Sequence, residues 1–363
     1  MGGVERFIFT LSARLQHAGV RVLVVLFHDG PLADAIREAG IPLELIRCQK
    51  YDLRQVARLA QIIRQHRIDL LHVHGYKATI AGGLAAPRCR IPIVKTEHGR
   101  LEARTGWRHW HRQVRMKANL WADALATRYL VRTVVFVSHH MKESASGQRA
   151  TRHVVIQNGV ELDSPIVGTG QARDRGDFDR RYFHIGIVGR LTEVKGHRYL
   201  LDAVTLLKDI ERLRVHVFGR GPLEAAYRAQ CGEAGISERV VFHGFREDVR
   251  ACMRRLDLLA MPSLQEGLPY ALLEAMQSRL PIVASDVPGI REVLPRGAVD
   301  GGVLVPPADA GALASAIRRL HADAELRRRM ASAGYRRLCH AFRADDMAGR
   351  YVDLYADILS RSS

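Results

Sequence analysis

Residues 261–276, MPSLQEGLPYALLEAM, close an apolar run, 256–262, that predicts a strand buried on both faces in a parallel sheet. Pro269 stands where a helix begins, a position that tolerates its fixed φ and missing N–H. Glu266 in the loop and Glu274 in the helix then face one small space above the end of the strand. In open α/β sheets ligands bind in the crevice at the carboxyl ends of the strands. Gly267 lets the backbone approach a ligand, and the N–H groups at a helix start hold an anion. A ligand rich in hydroxyls and carrying phosphate uses all of these together.

The stretch resembles the E-x7-E signature of retaining glycosyltransferases of the GT-B fold, family 4 (glycosyl transferases group 1), with its E-G-L-P start intact. Other segments carry the same resemblance. FHIGIV at 183–188 runs into Gly189-Arg190-Leu191 and then Lys195-Gly196, similar to the family's V-G-R-L-x3-K-G motif. RVHVFGRGP at 214–222 is similar to its G-x-G-P turn, and VVIQNGV at 154–160 to its I-x-N-G-V turn. The likeness implies two Rossmann-like domains facing across a cleft, with a nucleotide-sugar donor held mainly by the second. It implies that Arg190 and Lys195 neutralise the donor diphosphate, with helix N–H groups at Gly267 and Leu268 assisting. Glu266 then binds sugar hydroxyls beside the acceptor and Glu274 the ribose hydroxyls. The segment Gly244, Phe245, Arg246 lies where the family's backbone reads the nucleobase. His98, after the strand at 91–96, corresponds to a histidine near the donor sugar and reacting centre, and Gly3 belongs to a glycine-rich turn, GGVERF, at the first helix. His72 is expected to be structural. No cofactor is implied, the nucleotide sugar being a substrate.

The alternation of short apolar runs with helical patterns predicts an α/β chain with parallel sheets throughout. The expected domains are 1–162, on the acceptor side, and 182–341, which binds the donor. A linker, 163–181, joins them, and a C-terminal helix, 342–363, returns to the first domain. The linker contains Asp177-Phe178-Asp179, a formal D-x-D, but no apolar strand precedes it; it is expected to be solvated, and no metal site is expected. In a doubly wound sheet the first strand is central, yet the sequence opens directly on the glycine turn and first helix. The first strand of the N-terminal domain is therefore expected to be missing, leaving a gap between two neighbours, with the true start upstream or the chain truncated.

The chain of 363 residues has 55 Lys and Arg against 38 Asp and Glu, a formal net charge of +17. That excess suits an anionic partner, bilayer or nucleic acid. All three tryptophans, Trp107, Trp110 and Trp121, fall in 101–132 among Arg104, Arg108, Arg112, Arg115 and Lys117, a pattern suited to an anionic membrane interface. No nucleic-acid-binding module is recognisable, so nucleic acid is not expected as a partner. Five scattered cysteines without CxxC spacing fit a reducing compartment. With neither a spanning segment nor a signal peptide in view, the expectation is a cytoplasmic protein, peripheral on the inner face of the cell membrane.

The leading expectation is transfer of a hexose from a nucleotide sugar to a lipid-linked or cell-surface glycan of a bacterium, with retained configuration. A nucleotide-sugar epimerase and a non-catalytic partner subunit of the same fold stay open at this stage.

Overall fold

The computed structural model describes residues 2–47, 54–99, 110–145, 152–162, 178–179, 181–295 and 301–361, with only the backbone at 110–113 and 115. It divides into two compact units, Met1–Gly159 with Ala344–Ser363, and Val160–Arg343.

In the first unit the elements run α1 (Gly3–His17), β1 (Val24–Leu26), α2 (Pro31–Glu38), β2 (Leu43–Leu45), α3 (Arg54–Gln65) and β3 (Leu71–His74). They continue with α4 (Gly75–Cys89), β4 (Ile93–Glu97), α5 (Trp110–Leu130), β5 (Thr133–Phe136), α6 (His139–Ser144) and β6 (Arg152–Val155). All pairings are parallel, as continuous apolar strands separated by helices demand. The described strands form two separate sheets, β1–β2 and β3–β4–β5–β6. Leu59, Ile62 and Ile63 of α3 bury themselves against one face with Leu23, Val25 and Leu71. Each large side chain so buried contributes on the order of 2 kcal/mol. Ile8 and Phe9 of α1 and Leu32 and Ile36 of α2 pack together with Val24.

The second unit holds one six-stranded parallel sheet of order β12-β11-β10-β7-β8-β9. Its strands are β7 (Phe183–Val188), β8 (Leu213–Phe218), β9 (Val240–Gly244), β10 (Leu258–Met261), β11 (Ile282–Ser285) and β12 (Gly302–Val305). Between and after them come α7 (His197–Thr205), α8 (Glu224–Glu233), α9 (Val249–Arg255), α10 (Tyr270–Gln277), α11 (Pro288–Arg291), α12 (Ala310–Ala322) and α13 (Ala324–Ala341). Asp323 ends α12 and caps α13, its side chain accepting from the Leu326 N–H.

Helix α14 (Ala344–Ser360) belongs to the first unit, where it packs on α1. Its stripe of Tyr351, Leu354 and Ile358 is buried, and the Tyr355 hydroxyl meets His72 Nδ1 at 2.7 Å. The second unit takes in residues 160–162 and ends at Arg343, where Val160 forms a parallel bridge to Arg343.

Candidate active site

Parallel strands end at the same edge of a sheet, so the loops after β7, β8, β10 and β11 gather in one place. The Leu191 N–H donates to the Arg220 carbonyl at 3.2 Å and the Leu264 N–H to the Val194 carbonyl at 2.7 Å. At Gly196, φ is +66° and a Cβ would lie 1.9 Å from the Pro262 carbonyl oxygen. A Cβ at Gly289 would lie 2.3 Å from the carbonyl oxygens of Glu266 and Gly267. Only glycine lets these backbones meet, and the result is a locked frame around Lys195 and Glu266.

Lys195 ends a single 3-10 turn, Glu193–Lys195. Its Nζ donates to both oxygens of Glu266, at 2.8 and 2.9 Å, and the Ser263 hydroxyl donates to Glu266 Oε1 at 2.8 Å. The Glu266 side chain is 7% exposed and that of Lys195 28%. An ammonium has three donors and a carboxylate about four acceptor sites. The pair thus keeps one N–H on Lys195 and one lone pair on Glu266 for a ligand. Arg190 is exposed at the start of the same loop, with no ion pair among the described residues.

Pro269 is the residue before α10 rather than its first member, and Gly267 and Leu268 lie in the loop leading to it. Glu274 sits within α10 at 5% exposure, among the buried Leu272, Leu273, Ala275 and Met276. Gly244 ends β9 with φ of +68°, its carbonyl accepting from the Gly219 N–H at 2.7 Å. Phe245 is 44% exposed, and the Arg246 guanidinium grips Asp248 at 2.7 and 2.8 Å. Those two bonds hold the guanidinium beside Asp248 and leave the rest of its five N–H donors uncommitted to that carboxylate.

The other two candidates belong to the first unit. Gly3 opens α1, behind Gly2, whose N–H donates to Glu5 Oε2 at 2.6 Å. One turn on, the Phe7 ring lies edge-on to His98 at 4.6 Å and to His74 at 5.4 Å. His98 Nε2 and His74 Nδ1 share a hydrogen bond of 3.1 Å. Burial brings His98 down to about 4, and burial together with the neighbouring His98 brings His72 to about 3. Desolvation likewise holds His74 well below the ordinary range. At neutral pH His98 is therefore a neutral hydrogen-bonding group and not a cation. His72 bridges the hydroxyls of Thr96 (2.7 Å) and Tyr355, a structural role.

The expectation for 163–181 holds only in part. Residues 163–177, including Asp177, lie outside the described residues. Asp179 is solvated and pairs with Arg181 at 2.7 Å, but the Phe178 ring stacks on His216 at 4.2 Å. Phe178 covers a histidine chain that motif spacing did not single out: His184 Nδ1 to His216 Nε2 at 2.9 Å, then His216 Nδ1 to His243 Nε2 at 2.8 Å. Also missed was Lys95, buried in β4, whose Nζ meets Glu97 at 2.5 Å, Asp123 at 2.8 Å and Thr127 at 3.0 Å. A histidine or lysine interrupting an apolar strand was the available signal, because a buried polar or charged group requires partners. Among the described residues no group of three His, Cys, Asp or Glu side chains is placed to hold a metal ion.

Comparison with known proteins agrees with this architecture. Residues 1–164 match the model described as Glycosyltransferase Family 4, and residues 182–323 that of Glycosyl transferases group 1. The phosphatidyl-myo-inositol mannosyltransferase of Mycobacterium leprae is 30% identical over 353 residues, covering 92% of this chain and 87% of that protein. The Escherichia coli UDP-Gal:alpha-D-GlcNAc-diphosphoundecaprenol alpha-1,3-galactosyltransferase is 24% identical over 99% of this chain and 95% of its own. Anabaena HepE, solved with UDP-glucose, superposes with a TM-score of 0.82 at 23% identity, covering 98% of this chain and 96% of that one. The fold is GT-B, two Rossmann-like domains of parallel α/β structure. The chain belongs to the family 4, group 1 glycosyltransferases.

Proposed function

We propose that the protein transfers a hexose from a nucleoside diphosphate sugar to a lipid-linked glycan acceptor, retaining the anomeric configuration and without a metal. The observation that carries this is the Lys195–Glu266–Ser263 cluster, with one donor and one acceptor unspent at the carboxyl edge of the sheet. Arg190 and the remaining Lys195 N–H take the diphosphate, and their charge is worth most as negative charge builds on the leaving group. The spare Glu266 lone pair accepts from a sugar hydroxyl and fixes the orientation of the ring. Glu274 accepts from the ribose, the backbone at Gly244–Arg246 faces the base, and His98 serves the sugar as a neutral hydrogen-bonding group. The N–H groups around Gly267 and Leu268, ahead of α10, add to the field at the phosphates. Gly3 contributes through the turn that opens α1.

A lipid-linked acceptor is favoured by relatives whose names specify a diphosphoundecaprenol and a phosphatidylinositol substrate. Thermal shift and released nucleotide, scanned over UDP-, GDP- and ADP-hexoses, test the donor. One sugar nucleotide should stabilise the chain and turn over. Glu274→Ala should abolish that turnover with the fold intact, and retained turnover would refute the donor assignment.

No described helix is long and apolar enough to cross a membrane. We assign α5 to the inner membrane surface instead, the protein itself being cytoplasmic. The outer face of α5 leaves Trp121 68%, Tyr129 69% and Val114 57% exposed, with the exposed Lys117 and Arg128 on the same helix. Indole and phenol rings settle at headgroup depth while cations meet anionic lipid. Trp107, Arg104 and Arg108 lie outside the described residues. Trp121→Ala with Tyr129→Ala should cut sedimentation with phosphatidylglycerol vesicles at least about tenfold, a loss of some 1.4 kcal/mol. Unchanged sedimentation would reject α5 as the docking element.

A further inference from the structure

Lys95 is 1% exposed in β4, and burying an ammonium is costly unless its charge is matched and its N–H groups are bonded. Strand alternation puts Lys95 and Glu97 on the face that α5 covers, while Thr96 between them turns to the Tyr351 hydroxyl of α14 at 2.9 Å. Lys95 Nζ donates to both carboxylate oxygens of Asp123 on α5, at 3.0 and 2.8 Å, and to the Thr127 hydroxyl one turn on, at 3.0 Å. Asp123 alone therefore matches the charge, and with Thr127 it suffices to fasten α5 to β4.

Glu97 is then one carboxylate more than the ammonium needs. Its Oε1 meets Lys95 Nζ at 2.5 Å and completes the three donors of that group. Beyond Lys95 the carboxylate has no partner among the described residues, and its side chain is 30% exposed against 2% for Lys95. One cation and two carboxylates leave a single negative charge in a largely desolvated place. Burial pushes the Glu97 carboxyl above its ordinary range even against the pull of Lys95, and Asp123 adds to the rise. A cluster built only to fasten a helix would be better off without that charge. Local rules of this kind are broken where a ligand completes the bonding.

What Glu97 lacks is a hydrogen-bond donor, and an open carboxylate repels phosphate while it accepts from a hydroxyl. We infer that Glu97, held by Lys95 at the carboxyl end of β4, binds a sugar hydroxyl of the acceptor on the first unit. This rests on the transfer reading above. β4 ends at Glu97, so the carboxylate lies at the sheet edge where ligands collect, with His98 following it. The chain enters α5 from that edge and leaves it into β5, which is parallel to β4. One face of α5 thus holds Lys95 through Asp123 and Thr127, while the other leaves Trp121 and Tyr129 exposed. A helix lying on a membrane by that outer face brings a lipid-linked hydroxyl toward the end of β4.

The test compares the parent with Glu97→Ala, Glu97→Gln and Asp123→Asn, by Tm without ligand and by transfer to octyl α-D-glucoside and octyl N-acetyl-α-D-glucosaminide. Asp123→Asn breaks the buried pair and should lower Tm by about 5 °C or more, whereas both Glu97 variants should stay within about 2 °C of the parent. Glu97→Ala should raise KM for the octyl glycoside at least about tenfold while the thermal shift given by the sugar nucleotide persists. Glu97→Gln, whose amide oxygen still accepts, should recover part of that loss. A Tm loss in Glu97→Gln equal to that of Asp123→Asn would overturn the inference, making the carboxylate a partner that Lys95 requires. An unchanged glycoside KM in Glu97→Ala would overturn it as well. A parent that turns over no sugar nucleotide would overturn the donor reading and this one with it, and that failure shows before any variant is made.

Discussion

Lys195→Ala is expected to lower kcat by about 10²- to 10³-fold, the scale set by removing one group aimed at developing negative charge. The substitution has a second consequence, because Glu266 would keep only the Ser263 hydroxyl as partner while 7% exposed. A fully buried pair broken on one side loses roughly 3–5 kcal/mol. With Lys195 at 28% exposure, water can partly replace the ammonium, and the expected stability loss is about 1–2 kcal/mol. Adding Glu266→Gln removes the stranded charge and should restore most of that stability but none of the turnover. Denaturant unfolding and initial rates on the four chains of this cycle separate the two effects. Turnover within a few-fold of the parent in Lys195→Ala would show that the ammonium does not serve the leaving group.

That pair also marks how far the sequence alone reaches. Glu266 and Lys195 were each legible from local motifs, because E-G-L-P and G-R-L-x3-K-G are short spacings. Their mutual hydrogen bonds were not, since 71 positions separate them and only the parallel pairing of β7 with β10 brings them together. Ser263 gave no signal at all, being a small hydroxyl in a loop. The histidine chain 184–216–243 and the buried Lys95 failed to stand out for a related reason. Each looks like an unexplained polar position in a strand until β8 lies between β7 and β9, or α5 packs over β4.

Strands came through better than their lengths. The run 20–27 reads as one eight-residue strand, yet β1 spans only Val24–Leu26. A ladder forms only where a neighbour is present, and among the described residues β1 pairs only with β2, over these three positions. Helices were clearer, because their periodicity is local: Tyr351, Leu354, Tyr355 and Ile358 fall on one stripe of α14. The C-terminal helix expected at 342–363 begins at Ala344, and Asp323 divides the helical stretch before it into α12 and α13.

Gly196→Ala is expected to be the most damaging one-carbon change in the second unit's site, and Gly235→Ala separates its causes. Both positions have φ of +66°, so both substitutions carry the left-handed penalty of about 1–2 kcal/mol. At Gly235 a new Cβ meets nothing within 4 Å, and the loss should stop there. At Gly196 the Cβ would lie 1.9 Å from the Pro262 oxygen and 2.8 Å from its carbonyl carbon, both backbone atoms that cannot rotate away. Either the Glu193–Lys195 turn or the loop after β10 must move, and both hold the Lys195–Glu266 pair. The expected cost is therefore about 3 kcal/mol or more, against about 1–2 for Gly235→Ala. Because a displacement of about 1 Å at a positioned group costs on the order of 10²-fold in rate, turnover should fall further than stability. Equal unfolding midpoints for the two variants would mean that the frame yields to a methyl group, and that Lys195 and Glu266 are not held by it.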